Sequence, residues 1–188
     1  MPEAAEVGLF LHIMGVFGLG GATTISLVVF SMVRRAKTTQ ELRHWMGLGG
    51  LLGRYYVFPA AGLFLLLTGG YLIEKIHEEW ATGWIGLSTL ALVAAVCVGF
   101  FVNMPRMKEI GMAAGPAPDG PVPANITQLL NDPVLFAGIH GATMASIAIV
   151  WNMTTRPGGL GALVAIVVLV GIGVGSAYPA YQRQQSGG

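Results

Sequence analysis

Four polar side chains lie within or at the ends of long apolar stretches of this sequence, where a polar group is costly: His12, Asn103, His140 and Asn152. Imidazole binds metals and haem iron, so the two histidines are the candidate ligands. His140 lies in Gly138-Ile-His-Gly141, between small residues that leave room either for a flat macrocycle or for a neighbouring helix. Both interpretations stay open, and His12 is the first candidate for binding a metal.

Depth in the membrane decides which histidines could share one cofactor. Counted from Arg34 at 1.5 Å per residue, His12 lies roughly 33 Å away, near the opposite edge of the bilayer. His77 is expected at a similar height, whereas His140 lies roughly 12 Å above Asp132, near the other edge. The sequence therefore favours His12 with His77 over His12 with His140, and His12, His77 and His140 are the candidate cofactor ligands.

Other chemistry finds little support in the pattern. Met104 and Met107 are the one methionine pair with a spacing that suits copper(I). No serine has a histidine or carboxylate at a helical spacing that would activate it, so catalytic residues stay unassigned. With a net charge of +1 and no long basic stripe, a nucleic-acid partner is not expected.

Composition and hydropathy indicate an integral membrane protein. Charged residues make up 10% of the 188 residues, against roughly a quarter in a soluble domain. An apolar stretch of about 20 residues is long enough to cross a bilayer as a helix. We predict an all-α, single-domain bundle of about five transmembrane helices, at 7–33, 55–73, 84–104, 133–153 and 160–181.

The basic residues of the connecting segments segregate, which predicts an orientation. One side of the bilayer receives seven of them and the other side two, Lys75 and Arg156; the seven are Arg34, Arg35, Lys37, Arg43, Arg106, Lys108 and Arg183. The positive-inside rule then places the amino terminus outside and the carboxyl terminus in the cytoplasm. We expect a multi-pass protein of a bacterial inner membrane, with the lipid bilayer as its first partner and other membrane subunits or further copies of the chain as possible ones.

Several local patterns predict structure between and within the spans. Thr39 to Gly53 is amphipathic and predicts an interfacial helix, and Asp132-Pro133 predicts an N-cap with proline at the first helical position. The segment 111–131, rich in Pro, Ala and Gly, predicts an extended, mobile loop. Cys97 is expected to be a small buried hydrophobe. Small residues four apart predict close helix contacts at Gly18/Ala22, Gly49/Gly53, Gly141/Ala145 and Gly171/Gly175.

The motif Leu11-His12 followed by Gly20-Gly21 resembles the opening helix of several small bacterial membrane families, among them the copper-resistance D type and the J-type protoporphyrinogen oxidases. With Gly53-Arg54, Pro59, Thr68-Gly69, Gly83-Trp84 and Pro105-Arg106, the chain most resembles a family of predicted integral membrane proteins of unknown function. This resemblance covers roughly residues 7 to 110 and implies no activity. The likeness to the oxidases implies that His12 binds haem, but the lysine of their third helix is missing from 84–104, which argues against their activity.

The sequence leaves two hypotheses for the function. The first is a non-catalytic membrane subunit or a small transporter-like protein, which the pattern favours because no substrate site is visible. The alternative is a redox-associated protein that binds haem b through His12, with His77 or His140 as the second ligand.

Overall fold

The computed structural model of the protein describes residues 3–53, 57–75 and 77–186, except for the side chains of 51–53, 57–59 and 183–186. The described part of the chain is helical and contains no strand, only an isolated bridge between Thr38 and Pro121, which confirms the all-α prediction. The elements are α1 (Ala4–Arg35), α2 (Thr39–Gly53), α3 (Val57–Lys75), α4 (Gly83–Val98), a π-helical segment (Gly99–Asn103), α5 (Met104–Ala114), α6 (Ala124–Leu130), α7 (Pro133–Thr155), α8 (Gly159–Gly175) and α9 (Tyr178–Ser186).

Four helical stretches within the described residues are long and apolar enough to cross a membrane. They are Ala4–Arg35, Gly83–Ala114, Ala124–Thr155 and Gly159–Gln182, and each contains the whole of one predicted span. The remaining predicted span, 55–73, begins on residues that the structure does not describe. The count of five spans and the orientation of the termini therefore stay predictions.

Helices α1 and α3 pack as an antiparallel pair. A Cβ added at Gly8 would lie 2.6 Å from the Tyr71 ring, and one at Gly15 would lie 3.0 Å from Leu65. Farther along α1, the neighbour of Gly18 is Ala61, at 3.7 Å. Since successive partners run backwards along α3, the two helices are antiparallel, and small residues on α1 let them approach closely.

The helix that begins with α4 does not end at Pro105, where the sequence suggests that it closes. It continues through the π-helical segment into α5, and the amide of Met104 donates to the carbonyl of Gly99, five residues back. Proline has no N–H to donate and its ring crowds the preceding turn, so a π-helical turn before Pro105 is a way for the helix to continue. The prediction for Cys97 is also wrong, because this α4 side chain is exposed.

We call the end of the bundle that carries α2 and α6 the α2 end. The segment 111–131, predicted to be an extended loop, instead contains the end of α5 and all of α6. It is tied to the start of α2, where the Thr39 amide donates to the Gly120 carbonyl at 2.8 Å. The helices at this end pack on an apolar cluster, which includes the fully buried side chains of Val33, Leu42 and Leu135. The prediction was wrong because composition alone does not show these tertiary contacts.

Helices α7 and α8 meet at a glycine, but not at the pair that the spacing predicted. Gly171 and Gly175 are exposed and have open space around their α-carbons. Gly173 is buried instead, and a Cβ there would lie 2.6 Å from the backbone oxygen of His140 and 3.0 Å from Gly141. The contact between small residues therefore exists, shifted by two positions to the opposite face of α8.

Candidate ligand-binding cavity

His12 lies half-buried between α1 and α3. Its Nδ1 is 3.0 Å from the hydroxyl of Thr68, which donates its own hydrogen to the Phe64 carbonyl at 2.7 Å. Because that hydroxyl proton is already used, the histidine nitrogen is the donor and Thr68 accepts. A Cβ on Gly69 would lie 3.3 Å from the His12 ring, so the ring rests on helix backbone without an intervening side chain.

The three candidate haem ligands lie on or after different helices, with His12 on α1, His140 on α7 and His77 after α3. His140 stacks on Phe136 with ring centroids 4.0 Å apart and lies beside Phe30, which is 18 residues, or about 27 Å, along α1 from His12. His77 is exposed in the turn after α3, and α3 itself ends about 10 Å beyond Thr68. His140 therefore lies too far from His12 to share a cofactor with it, and the pairing of His12 with His77 stays a prediction.

His140 is engaged in packing and hydrogen bonding at the α2 end. Its Nδ1 is 3.0 Å from the Phe136 carbonyl, one turn earlier on α7. The guanidinium of Arg34 lies over the other partner in the stack, 4.8 Å from the centroid of the Phe136 ring. A cation over an aromatic face is attracted by its quadrupole, so this stack joins the end of α1 to the start of α7.

A cavity of about 850 Å³ lies among α1, α2, the π-helical segment, α5 and α7, and we call it the lateral cavity. Its size falls within the roughly 300–1,000 Å³ that is typical of small-molecule sites. Its lining is mostly apolar and includes four methionines, whose flexible side chains suit an irregular ligand: Met46, Met104, Met107 and Met112. Ile25, Phe100 and Met104 line it and are each more than a third exposed, which opens it toward the lipid-facing surface.

The polar groups in the cavity wall differ in whether they have hydrogen-bond partners. The hydroxyls of Thr23, Ser26 and Thr143 each donate to a carbonyl of their own helix, at 2.8 to 3.1 Å. Asn103, at the end of the π-helical segment, has a buried Oδ1 without a hydrogen-bond partner among the described residues. A Cβ on Gly138 would overlap this amide, so the glycine provides the space that Asn103 occupies.

Two cations lie in the lining at the α2 end, and they differ in their partners. The Arg43 guanidinium donates to the carbonyl of Ala117 at 3.0 Å, makes longer contacts to those of Ala114 and Gly115, and pairs with Asp119. Lys108 is exposed and pairs with no carboxylate in the described part of the chain. Among the described lining residues there is no Asp or Glu, so the positive charge of Lys108 is uncompensated there.

Asn152, the remaining polar residue of the predicted spans, lies in a contact between helices away from the lateral cavity. It is fully buried, and its Nδ2 donates to Ser88 of α4 at 3.3 Å and to the Ala162 carbonyl of α8 at 3.4 Å. These bonds join three helices at the end of the bundle opposite α2. Asn152 thus holds the bundle together and does not line the lateral cavity.

The fold defines a multi-pass helical membrane protein with a cavity open to its lipid-facing side. The family model described as "Predicted integral membrane protein (DUF2269)" matches residues 7–157, most of the chain. The chain therefore belongs to this family of predicted integral membrane proteins of unknown function, as the sequence motifs suggested. No curated protein and no solved structure matches it. The likeness to the copper-resistance D type and to the J-type oxidases is not shown by these comparisons.

Proposed function

We propose that the protein is a non-catalytic, transporter-like membrane protein that binds the acyl chain of an amphiphile in the lateral cavity. The observation that carries this proposal is the cavity itself, which is apolar, large and open between α1 and the π-helical segment. Burial of a chain gains about 0.8 kcal/mol per CH₂ relative to water. A bilayer already offers hydrocarbon, so residence in the cavity also depends on fit and on polar contacts with the lining.

The chemistry of the lining supports binding over catalysis. The hydroxyls of Thr23, Ser26 and Thr143 are held by helix carbonyls, and no histidine lies among the described lining residues. A hydroxyl nucleophile needs a base within hydrogen-bond reach, and the described lining offers these hydroxyls no histidine or carboxylate. The adaptable methionines instead suit a ligand that enters, is held and leaves unchanged.

Photolabelling in nanodiscs tests this proposal. A phosphatidylcholine with a diazirine midway along one acyl chain is activated by light, and the labelled peptides are mapped by mass spectrometry. We expect the cavity-facing residues of α5 to be labelled more strongly than the exposed face of α8, which contacts bulk lipid. Labelling that is equal on both surfaces would contradict a specific site.

A variant with a filled cavity tests the same proposal, and a matched variant outside the cavity is its control. Gly50 lines the cavity and has open space around its α-carbon, so Gly50→Phe should occupy that space and reduce the labelling of α5. Gly171 also has open space but lies outside the lining, so Gly171→Phe should leave the labelling unchanged. If neither Gly50→Phe nor Gly47→Phe reduces the labelling of α5, the acyl chain of the lipid does not occupy the cavity.

Haem binding is a second candidate, and the surroundings of His12 favour it. Thr68 holds Nδ1 and the ring lies on Gly69, an arrangement that fixes an imidazole for binding a metal through its other nitrogen. We expect a b-type spectrum of the purified protein, lost in His12→Ala and unchanged in the control His44→Ala. Protein that purifies without pigment when haem is abundant would refute this candidate.

A further inference from the structure

We infer that the lateral cavity selects amphiphiles with an anionic headgroup, drawn from the bilayer, and that Lys108 is the residue that recognises the headgroup. This inference rests on the proposed function and adds the chemical class of the ligand. It depends on three features: the uncompensated charge at the α2 end of the cavity, the position of Lys108 relative to Asn103, and the side on which the cavity opens.

The first feature is the charge at the α2 end of the cavity. Arg43 is held by Asp119 and by carbonyls that follow α5, so its charge is engaged within the protein. Lys108 lines the same cavity without a carboxylate partner among the described residues. Since the described lining contains no acidic side chain, the α2 end of the cavity attracts anions.

The second feature is the order of groups along the helix. Asn103 lies deeper in the bundle, and Lys108 follows it by about 7 Å of helical rise toward the α2 end. Between them the lining is provided by Met104 and Met107. An acyl chain among the methionines would therefore place its headgroup near the lysine, where an ammonium can act as a point charge toward a phosphate.

The third feature is the opening, which identifies the source of the ligand. Ile25 and Phe100 border the cavity, belong to different helical elements and are 38% and 44% exposed. In a membrane-spanning protein such apolar exposure faces hydrocarbon. A ligand that enters between these side chains comes from the bilayer, so an anionic phospholipid fits better than a water-soluble anion.

The test compares two photolabels that differ only in their headgroups, phosphatidylglycerol and phosphatidylcholine, each with the same diazirine acyl chain. We expect phosphatidylglycerol to label the cavity residues of α5 about fivefold more, the ratio that one lysine near an anionic lipid provides. Lys108→Gln should remove this preference, and Lys108→Arg should retain it. High salt should weaken it, because partly exposed charges are screened.

Lys37→Gln is the matched control, since Lys37 is also exposed at the α2 end but lies outside the lining. Equal labelling by the two lipids in the unmodified protein would overturn the selectivity and leave acyl-chain binding in place. A loss in Lys37→Gln as large as that in Lys108→Gln would mean that the general surface charge, and not Lys108, selects the lipid. Absence of cavity labelling by either lipid would overturn the proposed function itself.

Discussion

Asp132 has two separate roles at the start of α7. One carboxylate oxygen accepts the Val134 amide at 2.8 Å and caps the helix, as the sequence predicted. The other oxygen lies 2.7 Å from Nε of Arg106, a partner on α5 that sequence spacing could not indicate. The same side chain therefore caps the start of α7 and joins this helix to α5, and two substitutions can separate these roles.

Asp132→Asn should retain the cap and lose the ion pair, since asparagine caps helices about as well as aspartate. The pair is partly exposed, so we expect a loss of about 1 kcal/mol or less, which shrinks further at high salt. Asp132→Ala should lose about 1 kcal/mol more, because the cap also disappears. Unfolding of the detergent-purified variants at two salt concentrations measures both effects, and equal stability of Asn and Ala variants would rule out a contribution from the cap.

Individual polar residues were predictable only where the hydrophobic background made them conspicuous. Asn103 and His12 stand out because polar groups inside spans are rare, and both occupy helix contacts in the structure. Lys108 lies three residues after Pro105, so the sequence placed it in a connecting segment as an ordinary surface lysine. Its place in the cavity depends on the helix continuing through Pro105, which no local pattern indicated.

At the scale of elements, the contact between α7 and α8 depends on Gly173. Gly173→Ala should destabilise the protein by about 1–3 kcal/mol, because the new Cβ would lie 2.6 Å from a backbone oxygen that cannot rotate away. Gly171→Ala and Gly175→Ala, on the open face of the same helix, should be neutral or slightly stabilising. Thermal unfolding in detergent checks the difference, and three equal melting temperatures would contradict the proposed contact.

The bounds of α1 and α7 followed well from the sequence, but the faces of the helices did not. Long apolar runs and the Asp132-Pro133 signal predicted the start of α7 and most of α1 because membrane helices are fixed by length and capping. Helix α8 is apolar all round, so residues four apart could be placed on either face. The choice of Gly173 over Gly171 comes from the partner helix, which is a tertiary property.

At the scale of the whole molecule, the distribution of basic residues predicts which end of the bundle faces the cytoplasm. A reporter fused after Gly188 should be active in the cytoplasm, and one inserted near Glu78 should be active outside, because the α2 end carries most of the lysine and arginine. Both reporters on the same side would mean that one of the three predicted spans between them, 84–104, 133–153 or 160–181, does not cross the membrane.

The π-helical segment is equivalent to a one-residue insertion that the long helix accommodates within a single wide turn. The Met104 amide donates to the Gly99 carbonyl five residues back, and deletion of Val102 would place the same two residues four apart, as in an α-helix. The deletion should therefore remove the π-helical turn and leave Lys108 and the methionines of α5 facing the cavity. We expect the variant to insert normally and to keep the preferential labelling of α5, and loss of that labelling would contradict this account. The long helix can thus shorten by one residue without changing the face that meets a ligand.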